Sequence, residues 1–174
     1  MPGAPAEAET QLRDVAALAA KVAEDLPGQV AALAALVAGT LRGGGKLLFC
    51  GNGGSAAEAQ HLASEYVVRF TRERAPMAAI ALTTDTSALT ACANDYGFDR
   101  VFERQVRALA RSGDLVILHS TSGESENLVR AAEAAREMGV ATAALLARSG
   151  GRLGERVDFA LVVPTSVAAS LRNR

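Results

Sequence analysis

The sequence predicts an α/β domain: a doubly wound, five-stranded parallel sheet preceded by N-terminal helices. Three observations predict it. Short apolar runs recur along the chain and are apolar throughout rather than alternating, as expected where both faces of a sheet are covered. Stretches of helical period separate them, and strand, helix, strand in succession implies right-handed crossovers between parallel strands. The 174 residues suffice for one domain with a full core and are short for two.

Taken in order, residues 6–41 are dense in Ala, Leu, Val and Glu, with Val15, Leu18, Ala19 and Val22 at helical spacing. Pro27-Gly28 interrupts the pattern, so two helices are expected. "RGGGK" ends the helical region. "KLLFC" then reads as a strand and "SAAEAQHLASEYVVRF" as a helix. "MAAIAL" is a second strand, followed by polar "TTDTS" and a helix through Cys92. "FDRVFERQVRALARS" is a further helix and "DLVILHS" the third strand. "SENLVRAAEAAREMG" is a helix, and "VATAALLA" and "DFALVVP" complete the sheet. The expected layout is one domain over 1–174: a helical segment over 1–42, an α/β core over 46–164 and a short tail over 165–174.

Composition narrows the function classes. Eighteen Lys and Arg against 19 Asp and Glu give no electrostatic reason to expect nucleic acid or an anionic membrane. Aromatics are 4% and Trp is absent, so platforms for stacking bases are not expected either. Cys50 and Cys92 lack metal-knuckle spacing and read as buried free thiols in a reducing compartment. With no bilayer-length apolar run and no signal pattern at the N-terminus, a cytoplasmic protein is expected.

Ligands of doubly wound sheets bind at the carboxyl ends of strands. Three small polar loops follow strands here and lead into helices: "GNGGS", "TTDTS" and "STSGES". "GNGGS" brings glycines and Ser55 to a helix start, where the backbone can approach an anion and the helix dipole favours it. "STSGES" gathers Ser120, Thr121, Ser122 and Ser125 around Gly123, hydroxyls that can donate to phosphate oxygens. The alternative is that these residues merely cap helices and shape βα loops. A Walker-type loop is excluded because Lys46 is followed by Leu47. "GNGGSA" fits a dinucleotide fingerprint, yet the next strand, "MAAIALTT", carries no acidic residue before Asp85, and a monophosphate fits better than NAD. The loops "RSGGR" and "TSVAAS" look less equipped.

His61 and Glu65 lie four apart on the helix that follows "GNGGS", with Arg69 one turn further on the same face. The pair suits half of a zinc site, and Glu65 suits general-base work between adjacent carbons of a sugar. A solvated ladder with Glu65 paired to Arg69 is the alternative.

"CGNGGSAAEAQHLASEYVVRF", "ALTTDTSALTACANDYGFDRVFERQV" and "GDLVILHSTSGESENLVRAAEAAREMGV" together closely resemble the bacterial phosphoheptose isomerases of the sugar isomerase (SIS) superfamily. The resemblance runs over about residues 12–164. It implies a flavodoxin-like SIS fold and interconversion of sedoheptulose 7-phosphate and D-glycero-D-manno-heptose 7-phosphate through an enediol. That is a step toward the activated heptoses of the cell envelope, including lipopolysaccharide. It also implies a homotetramer whose active sites draw on neighbouring subunits, and in many members a zinc ion. Position by position, it assigns Ser55, Ser120, Thr121, Ser122 and Ser125 to the sugar phosphate. Asn52, Gly53, Asn94 and Asp95 match substrate-contacting positions, Arg69 a residue near the sugar, and His61 and Glu65 metal ligands. Glu65 is in addition an acid/base residue.

Members of the family continue after the last strand into a helix with a glutamine and a histidine that complete the metal site, the histidine being the second acid/base group. Here "VVPTSVAASLRNR" carries neither. The alternative to an isomerase is therefore a non-catalytic sugar-phosphate-binding SIS module. The apolar faces around Val15, Leu18, Val22, Leu33 and Val37 are expected to pack on a symmetry mate, or else to cap their own sheet.

Overall fold

A computed structural model describes residues 4–165. Helices α1 (Ala4–Asp25) and α2 (Pro27–Arg42) precede strand β1 (Leu47–Gly51) and α3 (Gly54–Val67). Next come β2 (Ala79–Ala81), α4 (Thr86–Tyr96), a 3-10 turn (Phe98–Arg100) and α5 (Val101–Leu109). The chain continues through β3 (Leu115–Ser120), α6 (Glu126–Glu137), β4 (Ala141–Ala147), the one-turn α7 (Gly151–Gly154) and β5 (Phe159–Val163). From residue 166 on, the expected tail lies outside the described residues. No single helix among the described residues is long and apolar enough to cross a bilayer.

All five strands are parallel, in the order β2-β1-β3-β4-β5. The order reverses between β1 and β3, whose neighbours in sequence run outward in opposite directions. Their carboxyl ends are therefore the expected ligand crevice. One face packs Leu48, Cys50, Val116 and Leu118 against Val101, Phe102 and Val106 of α5 and Leu128 of α6. On the other face, Leu47, Phe49, Leu115 and Ile117 meet Val37 of α2 and Ala59 and Ala63 of α3. Every residue of β1 and β3 is buried, which explains their unbroken apolar character. β2 and β5 are edge strands, and Ile80 of β2 is 37% exposed, so the reading of full coverage holds for the interior strands only. Cys50 and Cys92 are buried free thiols, as expected, and burial raises the Cys50 pKa.

Several boundaries differ from the sequence reading. α1 and α2 meet at 73°, with Pro27 in the first turn of α2, where its missing N–H breaks no helical bond. The 98–112 helix is split by the 3-10 turn, and α4 runs on past Cys92 to Tyr96. α3 ends at Val67 and does not reach Phe70, because the Arg74 guanidinium donates to the Glu65 and Tyr66 carbonyls, at 2.6 and 2.8 Å, and caps the helix from outside. Of the two uses weighed for the N-terminal helices, capping the chain's own sheet is seen for α2. Val37 is buried and Leu33 packs on the chain's own sheet, whereas Leu12 and Val15 of α1 are 71% and 54% exposed.

The amino ends of β1 and β3 are tied by Asp114. Its carboxylate accepts from the Lys46 backbone N–H at 2.9 Å, the Arg111 N–H at 2.7 Å and the Lys46 ammonium. Burial by itself would raise its pKa; the Lys46 ammonium and the two N–H donors outweigh burial and hold it below the usual carboxylate value. A depressed folded-state pKa contributes stability above the unfolded value of about 3.9 and loses it as pH falls through the folded one. Asp114→Ala leaves an ammonium and two N–H groups without their acceptor and is expected to lower stability by about 3 kcal/mol at pH 7. The difference from the parent should shrink as pH falls below about 4, measured by urea unfolding across pH.

Candidate active site

Two of the three predicted loops meet at the switch point. Asn52, Ser55, Ser120, Thr121, Ser122 and Ser125 line one hollow of about 70 Å³ between the ends of β1 and β3. At roughly 10–15 Å³ per water position, it has room for the oxygens of one phosphate. The loops are locked together by a reciprocal amide pair: Asn52 and Asn127 each donate to the other's Oδ1 at 2.9 Å. Asn127 is buried in the first turn of α6, and the sequence reading did not single it out.

The hydroxyls of the loops differ in what they do. Ser125 is the N-cap of α6 yet makes no side-chain cap bond. Ser120 Oγ accepts from the Gly123 N–H at 3.0 Å and Ser122 Oγ from the Glu124 N–H at 3.3 Å, which leaves both O–H protons to donate. The third loop is different. Asp85 caps α4 by accepting from the Ala88 N–H at 2.9 Å, and Thr84 donates to the Ala81 carbonyl, so this loop shapes a helix start and does not line the hollow.

Close backbone approach explains the glycines. A Cβ on Gly51 would fall 2.7 Å from the Ser55 carbonyl, so only glycine lets α3 start so near the strand end. Gly123 has φ +70°, and a Cβ there would lie 1.9 Å from the Gly150 carbonyl. The loop "RSGGR" is thus the buttress of "STSGES", a role missed in the sequence. The Leu153 N–H donates to the Gly123 carbonyl at 2.9 Å, and Arg152 bridges Glu124 and Glu126.

Along α3, His61 Nε2 and Glu65 Oε1 lie 3.7 Å apart, and Glu65 Oε2 is buried with no hydrogen-bond partner among the described residues. The pair lines a second hollow of about 390 Å³, with Glu58, Tyr66 and Arg74 also on its walls. Arg69 is a correction. α3 has ended before it, and its guanidinium faces Glu73 at 3.4 Å, so it neither shares the face of His61 and Glu65 nor forms the ladder with Glu65.

Tetrahedral zinc with bonds of about 2.0–2.1 Å sets two donors roughly 3.3 Å apart. His61 and Glu65 therefore fit two ligand positions, and the unpartnered Oε2 is the atom a cation would satisfy. Among the described residues no three His, Cys, Asp or Glu side chains converge, so this pair is a partial site.

Gly53 is the N-cap of α3, at φ 56°. Asn94 and Asp95 lie in α4, where the Asn94 amide donates to Asp95 Oδ1 at 2.8 Å. Asp95 lines a groove between α4 and α5, and neither residue lines the phosphate-sized hollow. The sequence reading gave no role to Glu58, which lines the hollows on both sides of α3. His119, the other histidine of the chain, was passed over too; it lines the small hollow and the larger one beside it.

Comparison with known proteins agrees with this geometry. A family model described as a SIS domain matches residues 11–147. A phosphoheptose isomerase of Roseiflexus sp. is 56% identical over 143 residues, 82% of this chain and 73% of the relative. One from Pelobacter propionicus is 53% identical over 156 residues, 90% of this chain and 82% of the relative. The solved structure of a phosphoheptose isomerase from Francisella tularensis superposes with a TM-score of 0.91 at 36% identity, covering 94% of this chain and 87% of that one. By these matches the chain belongs to the SIS domain family and, within it, to the phosphoheptose isomerases.

Proposed function

We propose that the protein is an aldose-ketose isomerase that converts sedoheptulose 7-phosphate to D-glycero-D-manno-heptose 7-phosphate in heptose biosynthesis. The observation that carries this reading is the pairing on one helix. α3 opens in a hydroxyl-lined, phosphate-sized hollow and bears, further along, a carboxylate whose buried Oε2 has no partner among the described residues.

In this reading Ser55, Ser120, Thr121, Ser122 and Ser125 hold the phosphate by O–H donation, and Asn52, fixed by Asn127, closes the cradle. The open-chain sugar offers a carbonyl with an acidic C–H beside it. Glu65 removes that proton, the carbonyl oxygen gains one, and the electron pair forms the enediol. Return of a proton to the former carbonyl carbon, with loss of the O–H proton from the neighbouring carbon's hydroxyl, forms the new carbonyl and gives the other isomer. Gly53, Asn94, Asp95 and Arg69 are assigned to the sugar on the family resemblance alone. A zinc ion held by His61 and Glu65 would polarise the sugar oxygens. The exposed Leu12 and Val15 of α1 support a homotetramer assembled through the N-terminal helices.

A coupled assay with sedoheptulose 7-phosphate, run with and without added Zn²⁺, tests the proposal. Aldose formation is expected; tight binding of the sugar phosphate without conversion would instead favour a ligand-sensing module.

A further inference from the structure

His119 ends β3 in register with Gly51 of β1 and Leu145 of β4. It is 5% exposed, and its Nε2 is buried with no hydrogen-bond partner among the described residues. Buried polar atoms without partners are rare in folded proteins, and each one calls for an explanation. The residue lines both the phosphate cradle and the adjoining hollow of about 430 Å³, so it stands where the phosphate end of a ligand meets the rest. A half-turn about χ2 exchanges ring nitrogens and carbons within nearly the same outline, which lets a nitrogen face the hollow without enlarging the site.

The cradle itself is built from neutral groups. Among the described residues its lining includes no Lys or Arg, although a phosphate monoester carries about −1.5 to −2 charges at neutral pH. Among the described residues lining either hollow, His119 is the one side chain able to become a cation. We propose that His119 is a phosphate ligand that takes up a proton when the anion enters the cradle; the inference rests on the sugar-phosphate reading above.

The surroundings of the ring set the sign. Burial holds the imidazole pKa below its usual value, and the Glu58 carboxylate of α3 pulls the other way. Of the other neighbours, β1 contributes Phe49, tilted at 59° with ring centroids 5.9 Å apart, and β4 contributes Leu145. The phenol of Tyr66, also on α3, stacks on Phe49 and adds no charge near neutral pH. Burial prevails without a ligand, so the ring is neutral at pH 7. An adjacent phosphate favours the imidazolium and raises the pKa. Binding is then coupled to proton uptake, and affinity falls as pH rises through the value of the bound state.

The test is titration calorimetry with inorganic phosphate at pH 7 in two buffers of different ionisation enthalpy, on the parent, His119→Gln and His119→Leu. The parent should take up more protons than either variant, and both variants should bind phosphate about tenfold more weakly. In the isomerase assay the loss should fall on KM. Thermal unfolding of His119→Leu at or above the parent's temperature shows that the loss is not one of folding; if that variant does not fold, His119→Gln carries the test. Equal proton uptake and affinities within twofold across parent and variants overturn the inference. Uptake that vanishes in His119→Gln while the parent fails to turn over sedoheptulose 7-phosphate supports the His119 role and sinks the isomerase reading. Turnover by the parent with unaltered phosphate binding in the variants does the reverse.

Discussion

Replacing Glu65 by Gln is expected to lower kcat by about 10²–10⁴-fold, the usual contribution of a positioned acid/base group, while phosphate still binds. Glutamine keeps the size of the side chain and a carbonyl oxygen toward His61, so the helix and the hollow lined by Leu62 and Tyr66 should survive. What is lost is the ability to accept a proton from carbon at pH 7. Because Ser55 and the hydroxyls of the β3–α6 loop lie in a separate hollow, the equilibrium for phosphate should stay within a few-fold of the parent. Single-turnover kinetics with sedoheptulose 7-phosphate, alongside calorimetry with inorganic phosphate, separate the two effects. Undiminished turnover would remove Glu65 from the chemistry.

Gly123→Ala is expected to act in the opposite pattern, on the fold and the phosphate together. Its φ of +70° is disfavoured for any residue with a Cβ by about 1–2 kcal/mol. The new methyl would also stand 1.9 Å from the Gly150 carbonyl, a backbone atom that cannot rotate away. Overpacking adds about 1–3 kcal/mol, for a combined loss of about 2–5 kcal/mol in urea unfolding. The relief available is to push "RSGGR" away from "STSGES", which breaks the Leu153 N–H bond to the Gly123 carbonyl and reorients Ser120 and Ser122. Phosphate affinity should fall at least tenfold. Gly28→Ala is the control, since a Cβ there meets nothing within 4 Å and the residue lies in α2. Equal stability of the two variants would contradict the buttress.

Much of the site was legible because its chemistry is local. Glycine, serine and asparagine placed between a buried strand and a helix restrict what the backbone can do and what it can hold, and that restriction is visible in "GNGGS" and "STSGES" without any fold. The i,i+4 spacing of His61 and Glu65 likewise survives as a 3.7 Å contact because α3 is regular there. Arg69 failed for the complementary reason: helical spacing has meaning only inside a helix, and a capping arginine further along the chain ended α3 first. Nor could the sequence say whether the serines cap helices or face a ligand, since both uses favour the same residues at the same positions.

The sequence by itself determined the class of sheet, the order along the chain of the five strands and the longer helices, and the two loops that carry the hydroxyls, since apolar period and turn chemistry act between near neighbours. Only the tertiary structure decided the strand order, which brings those loops to one rim, and the Asn52–Asn127 lock across it. It alone revealed Gly150 as the wall behind Gly123, and left His119 beside the cradle with a nitrogen unanswered among the described residues. Each of these joins residues far apart along the chain, through contacts that arise from packing and that no local pattern encodes.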